Sequence, residues 1–239
     1  MNQDVELRSR RTVLIATIAA AVAVLAVIVV TAVVTGGEDE PEPAPSAGPT
    51  GTGGAEPLAD FPLTLGYPET NGSDGSPVEV TDKPGVGAIP ICGEVVWDPE
   101  GGTTDAIGAE YVGEAEDFRG RTLGLYPSDE EATATIEAVT AALEACPEEP
   151  SDDESGAASL HEIVESDLGD ESVVWTTRYR DPQGLTGTGL TVQHMVRVGS
   201  ALFVAYESGE GGGSPESTTA AVQAATEQAE PIVEAMREL

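Results

Sequence analysis

Over much of the second half of the chain, apolar and polar positions alternate with the period of a strand, and two stretches change to the period of a helix. The clearer helix covers 129–145. Ala132, Ile136, Val139, Leu143 and Cys146 recur at intervals of three and four and so lie on one face. Ser128 can cap it and Glu131 completes a capping box, Asp129 and Glu130 occupy the positive end of the helix dipole, and Pro147 stops it. A second helix is expected over 215–238, capped by Ser214 with Pro215 at its first position. Its apolar line is Val222, Ala225, Ala229, Ile232, Met236 and Leu239. Pro231 has no N–H for the Glu227 carbonyl, which predicts a kink.

Between the helices, 172–180 and 190–198 read as strands, and 201–208 follows after Gly199-Ser200, a two-residue hairpin turn. That turn sets Val198 opposite Ala201, Val196 opposite Phe203 and His194 opposite Ala205. Weaker strands fall at 107–112, 121–126 and 89–97; 160–168 fits a short helix or a strand, and 70–77, 147–158 and 209–213 read as loops. Local hairpins predict an α+β domain: an antiparallel β-sheet with helices packed on one face.

The first sixty residues follow another rule. Residues 13–34 carry no charge, and 13 of these 22 are Val, Leu or Ile. As a helix they would span roughly 33 Å, close to the hydrocarbon thickness of a bilayer. The run is too long for a signal-peptide core and ends Val33-Val34-Thr35-Gly36 without a small-x-small cleavage site. No cysteine is near for lipid attachment. Arg8, Arg10 and Arg11 precede the run, whereas Glu38, Asp39, Glu40, Glu42, Glu56 and Asp60 follow it with no base between them. The positive-inside rule therefore predicts a single-pass plasma-membrane protein with its N-terminus in the cytoplasm. The expected organisation is a short cytoplasmic tail (1–11), a transmembrane helix in contact with the lipid bilayer (12–35), a disordered acidic Pro/Gly linker (36–60) and an extracytoplasmic domain (61–239).

Charge narrows the function classes. The chain has 239 residues, 43 acidic and 10 basic, for a formal net charge of −33. Residues 1–11 are net +1, so the remainder carries −34. Such a surface offers no basic stripe to displace counterions from DNA or RNA, which excludes nucleic acid as a partner. The two thiols, Cys92 and Cys146, fall in the expected extracytoplasmic part. An oxidising compartment favours a disulfide between them, closing a loop of roughly 55 residues worth about 4 kcal/mol in the chain-entropy model.

Candidate chemistry is sparse. There is no G-x-S-x-G elbow, and no catalytic residue or cofactor is assigned. A hydrolase would need His194 beside a Ser or carboxylate in a cleft, yet His194 shares its strand face with Val192, Val196 and Val198, a core setting. His161 reads as solvated at the edge of an acidic loop. Ser151, Asp153, Ser155, Gly156 and Glu162 have the spacing of a calcium loop, but Ser holds the position that needs Asp, so no metal is assigned. Gly209 to Ser214 precedes a helix N-terminus without the lysine of a phosphate loop. The scarce bases are the better lead. Arg178, Arg180 and Arg197 fall on adjacent strands, Arg119 and Arg121 enter another, and Arg197 shares a face with Gln193 and Met195 opposite the valines. Pairing with nearby carboxylates would account for the arginines. The functional reading is a sheet-lined cleft in which Arg178, Gln193, His194 and Arg197 meet a small polar ligand.

The order of elements carries a resemblance. A strand ending Tyr126-Pro127-Ser128 leads into an Ala-rich helix ending in Cys146. Gly169-Asp170-Glu171-Ser172 opens a strand, and His194-Met195-Val196-Arg197-Val198-Gly199 leads through a last strand to an Ala-rich helix. This resembles the PknH-like extracellular sensor domain, found on transmembrane Ser/Thr kinases and on free-standing anchored proteins of high-GC bacteria. One Lys against nine Arg suits such a genome. The resemblance implies an α+β domain with a cleft for an undefined ligand. It departs from the kinase member in having no kinase domain and one possible disulfide where that member has two. The expected function is thus a membrane-anchored, non-catalytic, sensor-like module binding a small polar ligand or an envelope component. The alternative is a structural or interaction protein of the cell envelope.

Overall fold

A computed structural model of the chain describes residues 58–115, 117–151, 156–184, 186–209 and 214–239. The expected membrane helix and nearly all of the linker lie outside these residues. So do 152–155 of the calcium-like loop and 210–213 of the glycine run. Among the described residues no helix is long and apolar enough to cross a membrane.

The strands are β1 (Ile89–Ile91), β2 (Glu94–Trp97), β3 (Asp105–Val112), β4 (Phe118–Leu125), β5 (Glu148–Pro150), β6 (Ala158–Val164), β7 (Glu171–Arg180), β8 (Thr186–Val198) and β9 (Ala201–Gly209). The helices are α1 (Asp129–Ala145) and α2 (Pro215–Met236). β1 and β2 form a small hairpin. The other seven make one antiparallel sheet in the order β3-β4-β9-β8-β7-β6-β5. The β8–β9 hairpin has the expected register, Val198 with Ala201, Val196 with Phe203 and His194 with Ala205, and Gly199 supplies the positive φ (55°) its turn requires. In the ambiguous segment 160–168, residues 160–164 belong to strand β6 and 165–168 lie in the connection that follows. Part of the expected loop 147–158 is the short edge strand β5, which pairs with β6.

The helices do not share a face. On α1, Ala132, Ile136, Val139 and Leu143 pack on Val173, Trp175, Met195, Leu202 and Val204. On α2, Ala229, Ile232, Val233 and Met236 pack on Val196, Phe203 and Ala205, and Ala225 packs on Val174 and Val192. These two strand sets alternate in sequence, so they point to opposite sides of the sheet. Expecting both helices on one face was wrong because the central strands are apolar on both sides. Val192 to Val196 and Ala201 to Ala205 are buried without a break, and such strands must be covered twice.

Both expected N-caps are formed: Ser128 Oγ accepts the Glu131 N–H, and Ser214 Oγ accepts the Ser217 N–H. The reciprocal box forms at Ser214, where Ser217 Oγ accepts the Ser214 N–H, and not at Ser128, where it was expected from Glu131. α2 continues through Pro231.

On the α2 side lies a buried cation. The Arg121 guanidinium is 1% exposed and sits 3.9 Å above the Tyr67 ring, donating to the Leu63 carbonyl (3.0 Å) and to that of Leu65. It fastens the segment at the start of the domain to β4. Burial lowers its pKa, and burial raises that of Glu207 nearby against the pull of Arg119 and Arg121.

Candidate functional site: a cavity between the sheet and a glycine-seated strap

On the α1 side, beyond the end of α1, residues 81–91 cross the sheet as a strap. Thr81 pairs with Gly108 through two backbone hydrogen bonds (2.8 and 2.9 Å). Val86 then donates to Thr122 Oγ1 (2.8 Å), which returns a bond to the Val86 carbonyl (3.2 Å). Between them Gly85 lies directly on β3 and β4. A Cβ on Gly108 would collide with the Gly85 nitrogen, one on Gly120 with the Gly85 carbonyl oxygen, and one on Gly85 with the carbonyls of Ala109 and Arg121. Three glycines therefore let the strap lie against the sheet. Its far end is fixed twice at the β1–β2 turn. Cys92 is disulfide-bonded to Cys146 at the end of α1 (Cα–Cα 6.3 Å), and the Gly93 N–H donates to Glu149 Oε1 on β5 (3.1 Å). The expected disulfide is thus formed, and it also ties down a wall of the site.

Under the strap is a cavity of about 540 Å³ to which every strand of the sheet contributes. Register arranges its lining in rows across the strands. The inner row is Trp175, Gln193, Tyr206 and Glu110, with Gly120 between the last two in register; the next is His161, Thr177, Thr191 and Phe118, with Ser208 between the last two. Val86, Ile89 and Ile91 face them from the strap. Gln193 is 9% exposed and makes no side-chain hydrogen bond among the described residues, so its carboxamide faces the cavity unpaired. His161 Nδ1 meets Thr177 Oγ1 at 3.0 Å, and its Nε2 lies 3.5 Å from Glu149 Oε2 without hydrogen-bond alignment. Burial raises the Tyr206 pKa, the neighbouring Tyr179 raises it further, and a hydrogen bond with Ser208 works against both. Phe118 meets the Tyr206 ring edge-on at 5.9 Å.

The four residues expected to share a ligand are not together. Gln193 alone lines this cavity. Arg197 is on the same face but at the hairpin end, held by Glu171 (3.4 Å), Asp170 (3.7 Å) and the Gly199 carbonyl (3.0 Å). Arg178 is on the α2 side, paired with Glu162 (3.1 Å), beside a separate depression of about 510 Å³ at the start of α2. His194 is fully buried under α2, its Nε2 3.1 Å from Thr226 Oγ1, and burial, then the Arg121 charge, lowers its pKa to about 4. It is a neutral core imidazole. Reading His161 as solvated was wrong: its side chain is 8% exposed, because β6 turns it inward beside Thr177. The strand alternative for this segment, extended back to Ala158, puts the odd positions Ser159 and His161 on one face. The glycines also left a trace, since Gly108 and Gly120 sit inside strand patterns where a close backbone approach is the usual reason.

No family model and no curated protein matches the chain. The fold is similar to that of the PknH extracellular domain. The match is to the crystal structure of that domain from Mycobacterium tuberculosis, with a TM-score of 0.39 and 11% sequence identity. It covers 57% of this chain and 64% of that one, so it spans less than two thirds of the matched domain.

Proposed function

We propose that this chain is a membrane-anchored, non-catalytic module that binds a small polar ligand or envelope component in the cavity beneath the strap. The observation that carries this reading is the unpaired, nine-tenths-buried Gln193 in a cavity to which all seven strands contribute. With no side-chain partner among the described residues, this carboxamide offers its donor and acceptor to whatever enters the cavity, and natural binding sites set a few such groups among apolar walls. The Cys92–Cys146 disulfide supports an oxidising, extracytoplasmic setting. The uncharged run 13–34 behind three arginines supports a single span contacting the bilayer, with the N-terminus in the cytoplasm. A thermal-shift screen of the full chain in detergent, against wall fragments, sugars, nucleotides and Ca²⁺, tests the binding reading. A compound that raises the melting temperature of the wild type and not of Gln193→Leu supports it. A compound that stabilises both equally counts against the cavity. An envelope protein without a ligand predicts no hit.

One geometric observation favours a second reading. Thr177, His161 and Glu149 follow the order hydroxyl, imidazole, carboxylate used in nucleophilic catalysis. Glu149 also holds Gly93 in the β1–β2 turn at the end of the strap, a structural task that accounts for its place. Turnover of an ester probe that disappears in His161→Ala would establish hydrolysis instead of binding.

A further inference from the structure

The composition of the cavity wall is selective. Phe118, Trp175, Tyr179 and Tyr206 are four of the ten aromatic residues in the whole chain. Two carboxylates, Glu110 and Glu149, line the same space, and among the described residues no Lys or Arg does. Elsewhere the scarce arginines are paired with acids, as in Arg119–Asp117, Arg178–Glu162 and Arg197–Glu171. Glu110 has no such partner among the described residues. It stands at one end of the inner row, with Gly120 and then Tyr206 as its cross-strand neighbours. The surrounding field has the same sign, since the chain carries −33. A phosphate, sulfate or carboxylate would enter against that field and find no cation. An organic ammonium group would find aromatic faces, an unpaired carboxylate and a carboxamide oxygen, while its hydrocarbon part could lie on Val86, Ile89 and Ile91.

Resting on the binding reading above, we propose that the ligand is an organic cation, with its ammonium group held between the aromatic lining and Glu110 and its apolar part against the strap. Charge and aromatic recognition together separate this from diffuse attraction to an acidic protein, which any cation satisfies and salt removes.

The experiment uses the full chain in a non-ionic detergent at 0.15 M NaCl. Binding of choline, cadaverine and spermidine is measured by calorimetry beside 3,3-dimethylbutan-1-ol (the uncharged isostere of choline), N-acetylglucosamine and glutarate. At least one ammonium probe is expected to bind, with choline at least tenfold tighter than its isostere if choline is the one bound. Doubling the salt should weaken that binding by less than threefold. Glu110→Gln and Tyr179→Leu, both at solvent-exposed positions, should each weaken it at least threefold with an unchanged melting temperature. Equal affinity for choline and its isostere would overturn the proposal, as would loss of the amine signal in salt or silence from all three amines. Binding of N-acetylglucosamine or glutarate that Gln193→Leu abolishes, without amine binding, would overturn the cation while leaving the cavity as a binding site. Amine binding unaffected by Glu110→Gln, Tyr179→Leu and Gln193→Leu would overturn both.

Discussion

His194 makes the interior sensitive to acid in a way that can be calculated. Its ring lies under α2 with Nε2 on Thr226 and Nδ1 buried without a partner. Burial and the nearby Arg121 hold its pKa at about 4, against 6.5 for the exposed residue. Between those two pH values the unfolded chain takes up a proton that the folded chain refuses, so acidification favours unfolding. Below about pH 4 both states are protonated and the contribution is exhausted. The difference in pKa corresponds to about 3 kcal/mol, lost as the pH falls from 6.5 to 4. Replacing His194 by Leu and Thr226 by Val removes the titrating group without stranding its hydroxyl partner. Urea unfolding of the full chain in detergent, wild type and double variant, at intervals from pH 7.5 to 4, gives two stability curves. All other titratable groups are common to both proteins and cancel in the difference. The difference should change by about 3 kcal/mol across the window, the wild type losing more as the pH falls. A difference that stays constant with pH would refute the assignment of His194 as a neutral core residue.

The glycine contact gives a matched pair of variants. Gly120→Ala forces Gly85 off the sheet and should destabilise by roughly 1–3 kcal/mol, whereas Gly87→Ala, with open space around it, should be close to neutral by the same denaturation assay. Cys92→Ser releases a cross-link of sequence separation 54, so a loss of about 4 kcal/mol, or roughly 10 °C in melting temperature, is expected by calorimetry. It should also speed hydrogen exchange in residues 89–97. Protease added to intact cells should remove the domain and leave the membrane segment, and N-terminal sequencing should find no cleavage within or just after residues 12–35.

What the sequence made legible follows from how local each signal is. α1 was readable in full because its cap, its stripe and its stop are contiguous in the chain: Ser128, the apolar run to Cys146, and Pro147. The β8–β9 register was readable because Gly199-Ser200 fixes it within two residues. The placement of the helices was not, because period two shows which residues share a face but not which helix covers it. Strands buried on both sides blur even that period. The site was mostly hidden for a similar reason. Its wall depends on Gly85 meeting Gly108 and Gly120, a contact between segments with no pattern linking them. Arginines drew notice because they are rare, yet rarity among many acids leads to pairing, as Arg178 and Arg197 show. Gln193 was found because its face opposes the valines. His161 was missed because its segment reads equally well as helix or strand, which leaves its face undefined.

The chain has two tryptophans, and they sit on opposite sides of the question. Trp175 lines the cavity, whereas Trp97 is buried in the core with its Nε1–H on the Tyr126 hydroxyl (3.2 Å). Fluorine NMR of the full chain labelled with 5-fluorotryptophan, with Trp97→Phe to assign the signals, therefore reports where any stabilising compound binds. Binding beneath the strap predicts that the Trp175 resonance moves in proportion to occupancy while that of Trp97 stays in place. A compound that stabilises the protein and leaves Trp175 unmoved would place the binding site elsewhere and contradict the account.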